Sequence, residues 1–363
     1  MAEANANRSV LVTVQWLRFW AAVIVVLSHV MDRVAEMQAR YSLRETAIRF
    51  DGQFGVYIFF VISGFIMVYI SGDRFGQSGA ARHFAVNRIV RIVPLYWLLT
   101  LAQAAKLLFE REFAGSDTEL LSWQTLTRSL LFVPYLNANG KHRPVLEQGW
   151  TLDFEMMFYA VFAACLLLPR RYGLPSCLIA LAAIAGASAL EPRLTLLAIW
   201  CDPIVLYFGA GICLALLREW LVLRSGLFDL PAPLMCTLAL CLTFAVQLNA
   251  PFQDLLKPII VIGTVAIATL CRDQDLRRHR EAIVTNLGAI SYSIYLSHGF
   301  VLLVVGIAWR NAMGGQILAI YAVLASALSV YGGYLCYTLV ERRLGMRLSR
   351  AQVRSMKARL SAS

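Results

Sequence analysis

The chain has 363 residues, of which 59% are apolar or aromatic and only 15% are Asp, Glu, Lys or Arg, with a mean hydropathy of +0.64. Soluble domains carry roughly 25% charged residues and need polar surface in proportion to their size, so this composition excludes disorder and leaves no realistic soluble enzyme. The remaining charge is lopsided, 33 Lys and Arg against 22 Asp and Glu for a net +11.

Ten stretches of a length and apolarity that cross a hydrocarbon layer follow one another: 14–31, 52–71, 93–109, 150–168, 174–190, 203–217, 230–248, 256–270, 290–308 and 316–340. The predicted fold is all-α and polytopic, with a short N-terminus (1–12), a membrane domain (13–340) and a basic tail (341–363). Segment 121–136 is apolar but carries Gln124, Arg128 and Pro134, which predicts an interfacial or re-entrant helix.

The first span reads VTVQWLRFWAAVIVVLSHVM. Its Arg18 and His29 argue against a cleavable signal. Eleven residues apart, they fall within about 20° of one helix face and ~16 Å along the axis. One face therefore carries an anion-binding cation at one end and an acid/base group at the other. Charges inside spans are costly and tend to mark function. The second span holds Ser63-Gly64, which permits close helix approach or an opening for a ligand. Ahead of the third, Arg88 and Arg91 stand at i, i+3 and suit phosphate binding, while Pro94 marks a kink or the true start of the span.

In the fourth span, GWTLDFEMMFY, Thr151, Glu155 and Phe158 or Tyr159 share a face. With this helix running opposite to the first, Glu155 comes to the depth of His29, which permits a His–carboxylate pair. Trp150 fits an interfacial anchor. The ninth span opens LGAISYSIYLSHGF, the most polar of the set, with Ser291, Tyr295 and His298 on one face. A helix this rich in hydroxyls must face other helices or water.

If the N-terminus is cytoplasmic, 20 of the 33 Lys and Arg fall on the cytoplasmic side and 11 outside, with Arg18 and Lys106 inside spans. This predicts both termini in the cytoplasm. The basic tail then reads as a topology determinant and anionic-lipid contact, not a nucleic-acid site. The eight cysteines show no metal-ligand spacing and read as small buried hydrophobes, and no metal site is expected.

Together these motifs resemble the acyltransferase 3 family of integral-membrane acyltransferases, of the exopolysaccharide O-acetyltransferase type. The likeness covers about residues 10–345 and rests on LRFWAAVIVVLSH, FGVYIFFVISGF, RIVRIVPLYW, GWTLDFEMMFY and LGAISYSIYLSH. The resemblance implies transfer of an acetyl or short acyl group from cytoplasmic acyl-CoA to a sugar hydroxyl of an exopolysaccharide or other cell-surface glycan. It further implies a bacterial inner-membrane location, acyl-CoA as donor substrate without a permanently bound cofactor, and a glycan or lipid-linked sugar as acceptor. Membrane lipids and polysaccharide-biosynthesis machinery would be its partners.

Carried over to this chain, His29 would be the catalytic base and Glu155 would support the acceptor side. Arg18, Arg88 and Arg91 would serve the coenzyme's anionic groups, and Ser63 and Gly64 would line the passage of its thioester arm. Trp150, Tyr159, Ser291, Tyr295 and His298 are the expected substrate-binding positions. Two other readings remain open on sequence alone. One is a secondary transporter whose intramembrane His, Glu and Arg relay protons or bind an anionic solute. The other is an acyltransferase acting on a lipid or a small secondary metabolite.

Overall fold

The computed structural model describes residues 11–44, 51–114, 121–137, 140–190, 195–224, 253–270 and 278–344, together with Thr237. In chain order these form α1 (Val12–Arg40), α2 (Gln53–Ser71), α3 (Ala80–Ala114), α4 (Trp123–Leu130), α5 (Trp150–Cys165) and α6 (Arg170–Gly186). There follow α7 (Thr195–Trp200), α8 (Leu206–Leu223), α9 (Gln253–Leu270), α10 (Arg278–Met313) and α11 (Leu318–Cys336), the last continued by a π-helical turn at Tyr337–Glu341.

The protein is an all-helical, polytopic membrane protein. Among the described residues seven helices are long and apolar enough to cross a membrane: α1, α2, α3, α6, α8, α10 and α11. Of the other expected spans, α5 has 16 residues, the apolar part of α9 is Leu256–Leu270, and 230–248 lies outside the described residues. So do residues 1–10 and the basic tail beyond Leu344. Helix α3 leaves Trp97, Leu98, Leu101, Leu108 and Phe109 uncovered. A stripe of that size would be a liability in water, whereas hydrocarbon accepts it at no cost.

Helix α2 lies at the centre, packed against α1, α8 and α9. Small residues make this possible. A Cβ on Gly64 would stand 2.0 Å from the Phe208 carbonyl oxygen, and one on Gly211 2.0 Å from that of Val61. The backbones of α2 and α8 therefore meet glycine to glycine, the close approach that drives helix association where apolar burial drives nothing. A second seam joins α1, α10 and α11, with Val26, Val30, Val34 and Met37 against Ile294, Leu302 and Tyr321.

Two local expectations are corrected. Helix α3 begins at Ala80 and runs on through Pro94, so that proline does not start the span. Ser122 caps α4 through a reciprocal pair of bonds with Thr125, and Tyr96 and Trp97 of α3 donate to the Ser129 and Leu130 carbonyls at its end, at 3.0 and 2.8 Å. The helix expected in segment 121–136 is thus α4, docked on α3. Cys165, Cys177 and Cys201 are buried free thiols as expected, but Cys213 is exposed.

Candidate functional site

Four of the helices, α1, α2, α3 and α10, converge with α5 on a cavity of about 90 Å³. Three arginines line it: Arg18 from α1, Arg88 and Arg91 from α3. The i, i+3 spacing on α3 does turn both guanidiniums the same way. Gln15, seated against Gly288 of α10, accepts a hydrogen bond from Arg18 Nη1 at 3.3 Å. Arg88 lies over the rings of Phe84 and Tyr159, 5.7 and 5.9 Å from their centroids. Its Nε is buried with no hydrogen-bond partner among the described residues.

The counter-charge comes from α5. Glu155 lines the same cavity and accepts from Tyr159 OH and, at 3.4 Å, from Ser63 Oγ. Glu341, at the end of the π turn, accepts from Ser293 Oγ at 2.5 Å and acts electrostatically on Arg18 and Arg91. Three guanidiniums thus share a largely apolar cavity with one carboxylate, Glu155, while Glu341 acts on two of them from outside its lining. An anion entering it would complete the balance.

Away from the arginines the cavity ends on hydroxyls. Thr151 Oγ1 and Tyr295 OH lie 2.8 Å apart, and Tyr295 donates to the Gln148 carbonyl at 3.1 Å. One turn further along α10 is His298, its ring 6.3 Å from that of Tyr295. His298 stacks on His29 of α1, centroids 5.2 Å apart and planes 21° apart. His298 is fully buried, its Nδ1 3.2 Å from the Ile294 carbonyl and its Nε2 unpartnered among the described residues. His29 is 45% exposed, with Nδ1 3.3 Å from Asp32 Oδ2. The pair of imidazoles thus lies one turn of α10 beyond the hydroxyls that line the cavity.

Residues 11–338 match the family model described as an acyltransferase domain. The chain belongs to the acyltransferase 3 family. It is 35% identical over 316 residues to the exopolysaccharide production protein ExoZ of Rhizobium meliloti (strain 1021), covering 85% of this chain and 94% of that one. It is 25% identical over 378 residues to the acyltransferase MdmB of Streptomyces mycarofaciens, covering 91% and 92%. A third relative, YrhL of Bacillus subtilis (strain 168), named provisionally as a peptidoglycan O-acetyltransferase, is 26% identical over 295 residues, 68% of this chain and 44% of its own. No solved structure matches the chain.

In this acyltransferase the expected site residues separate into groups. Arg18, Ser63, Arg88, Arg91, Glu155, Tyr159 and Tyr295 come together around the cavity. His29 and His298 form their own pair beyond it. Four of the expected residues have these surroundings. The carboxylate beside His29 is Asp32, one turn away on the same helix, and Glu155 instead faces the arginines. Gly64 is given to the α8 crossing, not to the cavity wall. Trp150 sits under the Arg143 guanidinium, 5.6 Å from its ring centroid, and against Phe154. Ser291 donates to the Gly288 carbonyl of its own helix at 2.8 Å.

The sequence reading missed three groups. Tyr292 lines the cavity and donates to the Ile92 carbonyl at 2.8 Å; its i−3 spacing to Tyr295 was the available signal. Glu341 had been assigned to the tail. A second His–carboxylate pair, His142 Nε2 with Asp153 Oδ2 at 2.8 Å, ties the loop before α5 to that helix.

Proposed function

We propose that this acyltransferase moves an acetyl or other short acyl group from cytoplasmic acyl-CoA to a sugar hydroxyl of an exopolysaccharide or related cell-surface glycan at the bacterial inner membrane. One observation carries the reading: α1 and α10 both line the arginine cavity and each carries one of the stacked imidazoles. The excess of Lys and Arg in the loops on the arginine side supports placing that end in the cytoplasm, where acyl-CoA is available. The name of the ExoZ relative, with its extensive overlap, supports a polysaccharide acceptor.

In this scheme Arg18, Arg88 and Arg91 hold the anionic groups of the donor, with Glu155, Ser63 and Tyr159 fixing the cationic cluster. The His29 imidazole accepts the proton of the sugar hydroxyl as its oxygen attacks the thioester carbonyl. The carbon–oxygen ester bond forms, the carbon–sulfur bond breaks, and the proton passes on to the departing thiolate.

The test is transfer of labelled acetyl from acetyl-CoA in inside-out vesicles, with ester groups on the purified polysaccharide read by NMR. His29→Ala should abolish the esters while the protein still inserts. Normal ester content in that variant would overturn the mechanism.

A further inference from the structure

We propose that a groove between the far ends of α1 and α10 binds the phosphate head of a long-chain lipid. The inference deepens the reading above in one respect, since that reading makes this face the acceptor side. The binding itself stands on the groove alone. Its volume is about 210 Å³; a water molecule in the liquid takes ~30 Å³, so a phosphate group fits with room for hydration.

Charge is the first observation. Arg33 and Arg40 of α1 and Arg310 of α10 line the groove, with Glu36 as the opposing charge in the lining. Glu36 is engaged by Arg33 at 2.7 Å. Among the described residues Arg40 and Arg310 are in no ion pair. Two uncompensated guanidiniums, each a planar fork of donors, form a receptor for an oxyanion, and phosphate suits it.

The second observation is the wall between the cations. Met37, Leu302, Leu303 and Ile307 supply it. A free inorganic anion gains nothing from such a surface, and a purely apolar ligand gains nothing from the arginines. An amphiphile with an anionic head and an alkyl chain uses both. Gly306 lines the groove without a side chain, and a Cβ there would make ordinary contact with Tyr321 OH at 3.6 Å and Met37 Cε at 3.8 Å. The Tyr321 hydroxyl is buried without a hydrogen-bond partner among the described residues, a donor left over at this point.

Position is the third. On α10, His298, Leu302, Gly306 and Arg310 follow at i+4, and on α1, His29, Arg33, Met37 and Arg40 follow at i+4, i+4 and i+3. The groove therefore continues the face that carries the stacked imidazoles and begins one turn from them. A lipid headed there holds whatever is esterified to its phosphate beside His29. Two sources share this chemistry, the lipid carrier of an acceptor sugar and an anionic phospholipid of the surrounding bilayer.

Native mass spectrometry of the full chain in neutral detergent tests the site with dodecyl phosphate as probe and dodecyl glucoside as neutral control. The wild type should retain dodecyl phosphate selectively, and the double variant R40Q/R310Q should weaken that binding at least tenfold. Gly306→Leu, which fills the groove and keeps every charge, should weaken it too, so a folding failure in one variant does not decide the matter. Binding of dodecyl phosphate within twofold of wild type in both folded variants overturns the proposal. Acyl-transfer kinetics separate the sources. With a carrier lipid, R40Q/R310Q raises KM for an alkyl-diphosphate-linked sugar about tenfold relative to a neutral alkyl glycoside. With bulk phospholipid that ratio holds and co-purifying phosphatidylglycerol is lost instead. A wild type that binds dodecyl phosphate yet transfers no acyl group overturns the acyl-CoA reading and leaves the lipid site standing.

Discussion

The imidazoles of His29 and His298 stack at 5.2 Å across the α1–α10 interface, one partly open and paired with Asp32, the other sealed beneath it. The open ring is free to meet a substrate while the buried one sets its plane. Removing His29 should lower acyl transfer by about 10²–10⁴-fold, the span of general acid–base catalysis. His298→Phe keeps a ring under His29 and removes only the nitrogens. It should cut kcat by about tenfold with acceptor KM unchanged, as steady-state kinetics on reconstituted protein would reveal.

The arginine cavity predicts sensitivity to geometry as well as charge. Arg88→Lys preserves the charge but loses the fork and its stacking over Phe84 and Tyr159. Its KM for acetyl-CoA should rise about tenfold, a loss of ~1.4 kcal/mol, with a smaller change in kcat.

Glu155 offsets that positive cluster even with no donor bound. Glu155→Gln keeps the shape and a hydrogen-bonding group for Ser63 and Tyr159 but leaves the guanidiniums underbalanced. Stability should fall by about 1–3 kcal/mol, the scale of hydrogen bonds to charged groups. Thermal unfolding in detergent measures this, and added acetyl-CoA should restore no more than part of the loss.

Glycines on one fold should respond oppositely. At Gly64 a methyl group meets the Phe208 backbone, so Gly64→Ala should destabilise by about 1–3 kcal/mol or more, as overpacking does. At Gly263, inside α9, none of the described residues lies within 4 Å of the added carbon. Gly263→Ala should leave the unfolding temperature unchanged or raise it, helix propensity favouring alanine by up to ~1 kcal/mol.

The His142–Asp153 pair predicts a local effect. Its carboxylate is 2% exposed and its imidazole 13%. Asp153→Asn should speed hydrogen exchange across residues 140–149 while exchange in α2 and α8 stays slow.

What was legible in the sequence follows from helical geometry. Arg18 with His29, Arg88 with Arg91, and Glu155 with Tyr159 are relationships within one helix, and periodicity fixes which side they share. Which side then faces which neighbour is a tertiary matter. Depth alone put Glu155 beside His29, although α5 turns it toward the arginines and His298 takes the place beside His29. Gly64 next to Ser63 was ambiguous for the same reason: adjacent residues point about 100° apart, and one met α8 while the other met the cavity. Glu341 was hidden by the basic residues that follow it, since only the π turn brings its carboxylate to Ser293. His142 and Asp153 are joined through an irregular loop, which carries no periodicity to read.

One feature of α1 bears on the whole molecule. The eleven-residue step from Arg18 to His29 covers only ~16 Å of helix axis, about half the ~30 Å of hydrocarbon that a bilayer presents. For an acyl group taken up at one end and delivered at the other, the protein acts as a thinned place in the membrane, its thickness fixed by covalent geometry. The reach demanded of the donor is then a property of this one helix, independent of the lipids around it.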